Sequence, residues 1–182
     1  MACDLTKGRA LPCRESVGGI KAVYFVDFGD LGDVTLTSNT DDTISNMDGT
    51  FDAYKYELKG TSSVEQTINA SRENGTVFFD QAVSLTLPQL SKEDNNELKL
   101  LAYGRPHIIV EDYNGNAYLV GRENGADVTG GTIASGAAMG DMSGYTLTFN
   151  AMERTAANFI AGATDGNPFA GMSSATETIV LS

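Results

Sequence analysis

The chain has 182 residues, enough for one well-buried domain or one domain with extended arms. Hydrophobic residues at 41% and charged residues at 20% are ordinary for a globular protein. The net charge of −12 excludes tight nucleic-acid binding, because gripping phosphate takes clustered Lys and Arg to displace counterions.

Residues 1–19 have little periodicity and contain Pro12 and Gly18-Gly19, so they read as an N-terminal arm. The arm holds both cysteines, Cys3 and Cys13. With no His or Cys cluster nearby they make no zinc site, and free thiols in a reducing compartment are expected. The first residues lack the apolar core of a secretory leader, and no run of 18 apolar residues occurs, so no membrane association is expected.

Residues 20–28 (IKAVYFVDF) are rich in β-branched and aromatic side chains and predict a strand. Residues 33–37 read as its hairpin partner, after the turn at 29–32. Residues 38–50 (SNTDDTISNMDGT) are polar and acidic and read as a loop. From 51 to 58 the chain alternates, with Tyr54, Tyr56 and Leu58 on one face and Lys55, Glu57 and Lys59 on the other. In 64–71, Val64, Gln66, Ile68 and Ala70 share a face opposite Glu65, Thr67, Asn69 and Ser71. In 76–87, Val77, Phe79, Val83, Leu85 and Leu87 lie opposite Asp80, Ser84 and Thr86. Alternation of period two buries one face of an antiparallel sheet.

One helix is predicted. Ser91 is an N-cap, Glu93 and Asp94 place negative charge in the first turn, and Gly104 and Pro106 end the helix. Leu98, Leu101 and Ala102 form its apolar stripe, expected to cover a sheet face or edge.

Two further strands, 107–111 and 117–121, flank a turn on Asn114-Gly115. The same stretch places Asp112, Asn114, Asn116 and Glu123 at the spacing of a calcium loop. Ala117 stands where that loop needs glycine, and the flanks are strand-like, so a hairpin is the better reading. Residues 130–140 are glycine-rich with no Lys-Ser or Lys-Thr after them, which fits a flexible interaction loop and not a phosphate cradle. A strand at 145–151 follows, then a Gly- and Ala-rich tail over 161–182 that includes a short strand at 177–181. No repeat or linker divides the chain. The expected fold is mainly β, a single antiparallel β-sandwich or rolled barrel with one flanking helix.

No catalytic constellation stands out. His107 is the only histidine and sits within a strand, and neither cysteine has an activating partner. The chain is read as a non-enzyme without cofactor or metal. The outward faces of 64–71, 76–87 and 145–151 carry Thr, Ser, Asn, Glu and Asp and no Lys or Arg. Such a surface does not hold a polyanion.

The wording from about residue 78 to 156 resembles the tail-tube proteins of long-tailed bacteriophages. The resemblance is carried by FFDQAVSLTLPQLSKEDNNELKLLAYGRPHIIVEDYNGNAYLVGRENG and GAAMGDMSGYTLTFNAMERTA. It implies a subunit that forms rings, usually hexameric, stacked into a hollow tube with an electronegative lumen for DNA ejection. It further implies a virion location after synthesis in a bacterial host's cytoplasm. The partners are then other copies of the chain, other tail proteins, and viral DNA that passes without tight binding. On this reading Glu65, Thr67, Asp80 and Thr146 face the lumen. Asp41, Asp42 and Asp48, with Gly131, Gly136 and Met139, fall in two intersubunit loops, 38–50 and 130–143. The alternatives are another virion component (head-completion, tail-terminator or decoration protein) and a monomeric calcium- or ligand-binding β module.

Overall fold

A computed structural model describes residues 7–37, 42–58 and 60–181. The fold is mainly β with one helix, as the alternation predicts. A six-stranded sheet has the order β11-β8-β7-β1-β4-β12. Its strands are β1 (Ile20–Val26), β4 (Thr50–Glu57), β7 (His107–Asp112), β8 (Ala117–Val120), β11 (Asn158–Phe159) and β12 (Thr176–Val180). A four-stranded antiparallel sheet has the order β5-β6-β10-β9. It is built from β5 (Ser63–Ser71), β6 (Thr76–Pro88), β9 (Asp127–Ala134) and β10 (Gly144–Glu153). A small ribbon pairs β2 (Val34–Leu36) with β3 (Ile44–Met47).

The six-stranded sheet is buried on both faces. Between the two sheets, Val23, Phe25, Ile108 and Val110 pack against Val83, Leu85, Phe149 and Ala151. On the opposite face, Tyr24, Val26, Phe51, Ala53, Ile109 and Leu119 pack under Leu31, Ile44, Met47, Ile160 and Phe169. The result is three layers: sheet, sheet, and a cover made of the β2–β3 ribbon and the C-terminal segment.

Two-sided burial corrects several expectations. Residues 33–37 do not pair with β1, whose neighbours are β4 and β7. The stretch 38–50 is not one loop, because Ile44 and Met47 are fully buried strand residues. The face of β4 that begins with Phe51 and Ala53 is core, although Lys55 and Glu57 follow on it. The C-terminal segment holds the expected short strand, β12, and packs into the fold. Phe169 is buried against Tyr24 and Phe51, and β12 runs parallel to β4, the one parallel strand pair among the described residues. A buried carboxylate helps to hold it: Glu111 accepts hydrogen bonds from the Tyr24 hydroxyl at 2.9 Å and the Gly166 N–H at 3.1 Å. Lys21 lies 3.5 Å from the same carboxylate. Removing one partner of such a group leaves buried charge uncompensated.

The helix, α1, spans Lys92–Tyr103. The Ser91 hydroxyl accepts the Asp94 N–H at 3.0 Å, the predicted cap. Leu98 is buried and Leu101 packs against the core between the sheets, but Ala102 is exposed, so the stripe is narrower than its spacing suggests. The β7–β8 hairpin turns on Asn114-Gly115 as predicted, with Gly115 at φ +79°. Asp112 accepts the N–H groups of Asn114 and Asn116 at 2.9 and 2.8 Å, which explains its place there as a turn residue.

Candidate functional site

The candidate site is the outer face of the four-stranded sheet. Strand register decides which side chains share it, because directly paired residues point the same way. Glu65 pairs with Ala82, Ala82 with Asn150, and Asn150 with Asp127. In the next row Thr67 pairs with Asp80, and Asp80 with Met152. On the other side of the first row, Ser63, Ser84, Thr148 and Gly130 align, followed by Thr86, Thr146 and Thr132. Glu65, Thr67, Asp80 and Thr146 therefore lie on one surface, and no residue of either core lies on it.

None of the four strands contains a Lys or Arg. Three carboxylates, Glu65, Asp80 and Asp127, stand among hydroxyl and amide groups. One side-chain oxygen each of Asp80 and Asn150 is buried without a hydrogen-bond partner among the described residues, so these two side chains are only partly presented on this face. The strands themselves supply no cation with which to engage phosphate; the nearest are Arg72 in the β5–β6 turn and Arg154 just past β10.

Among the described residues β5 is one edge of the sheet and β9 the other, neither with a further strand partner, and α1 lies against β9. Toward its turn, the β5–β6 hairpin overhangs the core. Ile68 and Val77 are on the inward side, yet are 64% and 59% exposed. The hairpin is tied down just before the overhang. Gln66 and Gln81 pair across it; the Gln66 amide oxygen accepts the Ala157 N–H, and Gln81 bonds the Thr155 carbonyl and the Gly121 N–H.

The glycine-rich segment divides in two. Residues 130–134 belong to β9 and do not form a loop. A side chain at Gly131 would meet the Thr146 carbonyl oxygen at 2.8 Å, so glycine allows the close strand approach. A bulge opposite Thr148 and Phe149 flips the alternation within β9, which hides this strand from a period-two reading. The loop proper, 135–143, is braced by Asp141, which accepts the Ala137 and Ala138 N–H groups at 2.9 and 2.7 Å. Those two bonds hold the Asp141 carboxyl below its usual range. Gly136 takes a φ of +72°, and Met139 at the tip is fully exposed.

Of the other loop candidates, Asp41 lies outside the described residues. Asp42 is exposed, with its carbonyl accepting the Asn158 side-chain N–H at 2.7 Å. Asp48 accepts the Asp33 N–H, so its carboxylate already closes a turn within the chain. Cys13 is exposed and unpaired, and Cys3 lies outside the described residues. His107 is buried beside Phe28, with Nδ1 2.7 Å from the Gly121 carbonyl oxygen and Nε2 accepting the Gly29 N–H.

Sequence reasoning missed the Asp127 and Thr132 contribution from β9 and the Gln66–Gln81 tie. The β9 bulge concealed the first. For the second, a glutamine at each of two inward positions was the available signal. No helix among the described residues is long and apolar enough to cross a membrane. Comparison with protein-family models, curated proteins and solved structures returned no match.

Proposed function

We propose that this chain is a structural subunit of a bacteriophage tail tube, assembling into stacked rings around a conduit for DNA. The observation that supports the reading is a sheet whose strands carry no Lys or Arg and whose two edge strands, β5 and β9, have no further strand partner among the described residues. Edge strands are templates for further pairing, and a ring of copies removes every edge at once. In such a ring β5 of one copy pairs with β9 of the next, and the Glu65–Thr67–Asp80–Thr146 face lines the lumen. Six copies would contribute roughly two dozen strands about 4.8 Å apart, a backbone circumference of about 115 Å before strand tilt widens it. Carboxylates on the wall repel phosphate, and short hydroxyl side chains give no firm grip.

Loop 135–143, with Met139 at its tip, and the apolar overhang at Ile68 and Val77 lie at opposite ends of the sheet. That polarity suits contacts between successive rings. Other copies, neighbouring tail proteins and passing DNA are the partners this reading assigns, and the virion is the location.

Electron microscopy and sedimentation of the purified chain over a range of concentrations test it. Rings or tubes with a central channel are expected. A monomer at every concentration and salt would overturn the proposal.

A further inference from the structure

A lysine, an aspartate and a buried glutamate meet where β1 passes under the C-terminal segment. Lys21 reaches that point through a bulge. The pairing of β1 with β7 shifts register between Ile20 and Ala22, so Ile20 faces the core between the sheets and Ala22 the core on the other face. Lys21 is the residue between them, and a bulge re-aims the side chain it carries. Ala22 pairs with Glu111, and the Lys21 amine lies 3.5 Å from Glu111 Oε1.

Asp165 is delivered by a turn. The Thr164 and Asn167 N–H groups each donate to the other's carbonyl oxygen at 3.0 Å, with Asp165-Gly166 at the corner and Gly166 at φ +79°. The Gly166 N–H also donates to Glu111 Oε1 at 3.1 Å, so the turn is fixed to the glutamate. Lys21 Nζ contacts Asp165 Oδ1. Glu111 is 3% exposed, and its other oxygen accepts the Tyr24 hydroxyl at 2.9 Å. Lys55, another amine close by, is paired with Glu57 at 3.1 Å.

Lys21 and Asp165 alone would be a solvent-facing ion pair of small worth. The buried carboxylate beside them adds a proton carrier. We propose that Lys21 and Asp165 condense into an isopeptide bond, with Glu111 as the general base and acid. Glu111 moves two protons in turn from the Lys21 nitrogen to one Asp165 oxygen. The nitrogen attacks Cγ and the C–N bond forms. The C–O bond to the protonated oxygen breaks, and that oxygen leaves as water; nothing is oxidised or reduced. Free amines and carboxylates do not condense to any extent in water, but groups held in contact reach effective molarities of about 10⁵–10⁸ M. The Asp165 side chain faces solvent, which gives the released water a way out. The bond closes within one chain, so it is independent of the tube reading. It ties β1 to the segment whose Phe169 packs on Tyr24.

Mass spectrometry of the full-length chain tests this. The parent should be lighter than its sequence by one water, judged against Lys21→Arg measured beside it, which should have its full mass. Trypsin should release a branched peptide joining residues 15–55, uncut after Lys21, to residues 155–182. Asp165→Ala and Glu111→Gln should both have full mass, since Glu111→Gln keeps an acceptor for Gly166 but carries no proton. A parent chain at full mass overturns the proposal whatever the variants do. A lost water that persists in Lys21→Arg also overturns it, because Asp165 has then closed on the Gly166 nitrogen instead. A branched peptide at parent yield from Glu111→Gln overturns the part given to Glu111.

Discussion

Gln66 and Gln81 stand directly opposite each other across the β5–β6 pair, and both use their side-chain amides to hold neighbouring backbone. Gln81 is almost fully buried and is the more consequential. Gln81→Leu leaves the Gly121 N–H without its partner, and an orphaned buried donor costs about 1–3 kcal/mol. Urea unfolding should show that loss. Gln66→Ala should cost less, because Gln66 is exposed and water can replace its contact. Equal midpoints for Gln81→Leu and the parent chain would remove this tie from the account.

His107 predicts a pH dependence. Burial pushes its imidazole below the ordinary value, outweighing the Gly121 carbonyl and Asp30, which push the other way. A group with a lowered folded pKa contributes stability that is fully present above its unfolded pKa. That contribution falls as pH drops below about 6.5. Protonation would also end the role of Nε2 as acceptor for Gly29. Thermal melts between pH 7.5 and 5 should show declining stability, and His107→Gln should flatten the slope. A parallel decline in the variant would assign the effect to other groups.

Glu153 behaves in the opposite sense. Burial pushes its carboxyl up, although the Asn124 and Glu123 N–H groups stabilise the ionised form. A raised folded pKa in an acid means that charge at neutral pH opposes folding, and that this penalty fades as pH falls through the folded value. Glu153→Gln keeps an acceptor for both N–H groups and should match or exceed the parent stability at pH 7. Glu153→Ala leaves both donors unmet and should lose about 1–3 kcal/mol. Measured stabilities in the reverse order would refute this.

Glu65 and Thr67 are exposed on β5, so Glu65→Lys with Thr67→Lys should leave the subunit folded. Asp80 is half-buried, and Asp80→Asn is the milder change there. Particles bearing the two lysines should release DNA slowly at low ionic strength and recover as salt screens the wall. Parent-like ejection at low salt would take these positions out of the mechanism.

The β9 edge can be blocked separately. Ile133 lies in β9 and is 64% exposed, so Ile133→Lys should spare the monomer. A charge on an edge strand discourages pairing. Sedimentation should show folded monomer where the parent chain associates; undiminished association would exclude β9 as a ring contact.

Local residue patterns set the individual elements. Period-two alternation marked β5, β6 and β10, the Asn114-Gly115 turn marked the β7–β8 hairpin, and Ser91 marked the start of α1. Those patterns also determined that Glu65, Thr67, Asp80 and Thr146 oppose the apolar sides of their strands, because alternation is a property of neighbouring residues. Tertiary structure decided the rest. β1 is apolar on both sides, so nothing in its own residues shows that Tyr24 faces one core and Phe25 another. The polar stretch around Ile44 and the tail around Phe169 became structural because together they cover that second core. Pairing partners follow from which long-range closure buries both faces at once. That is a cooperative choice of the whole chain, not of any segment.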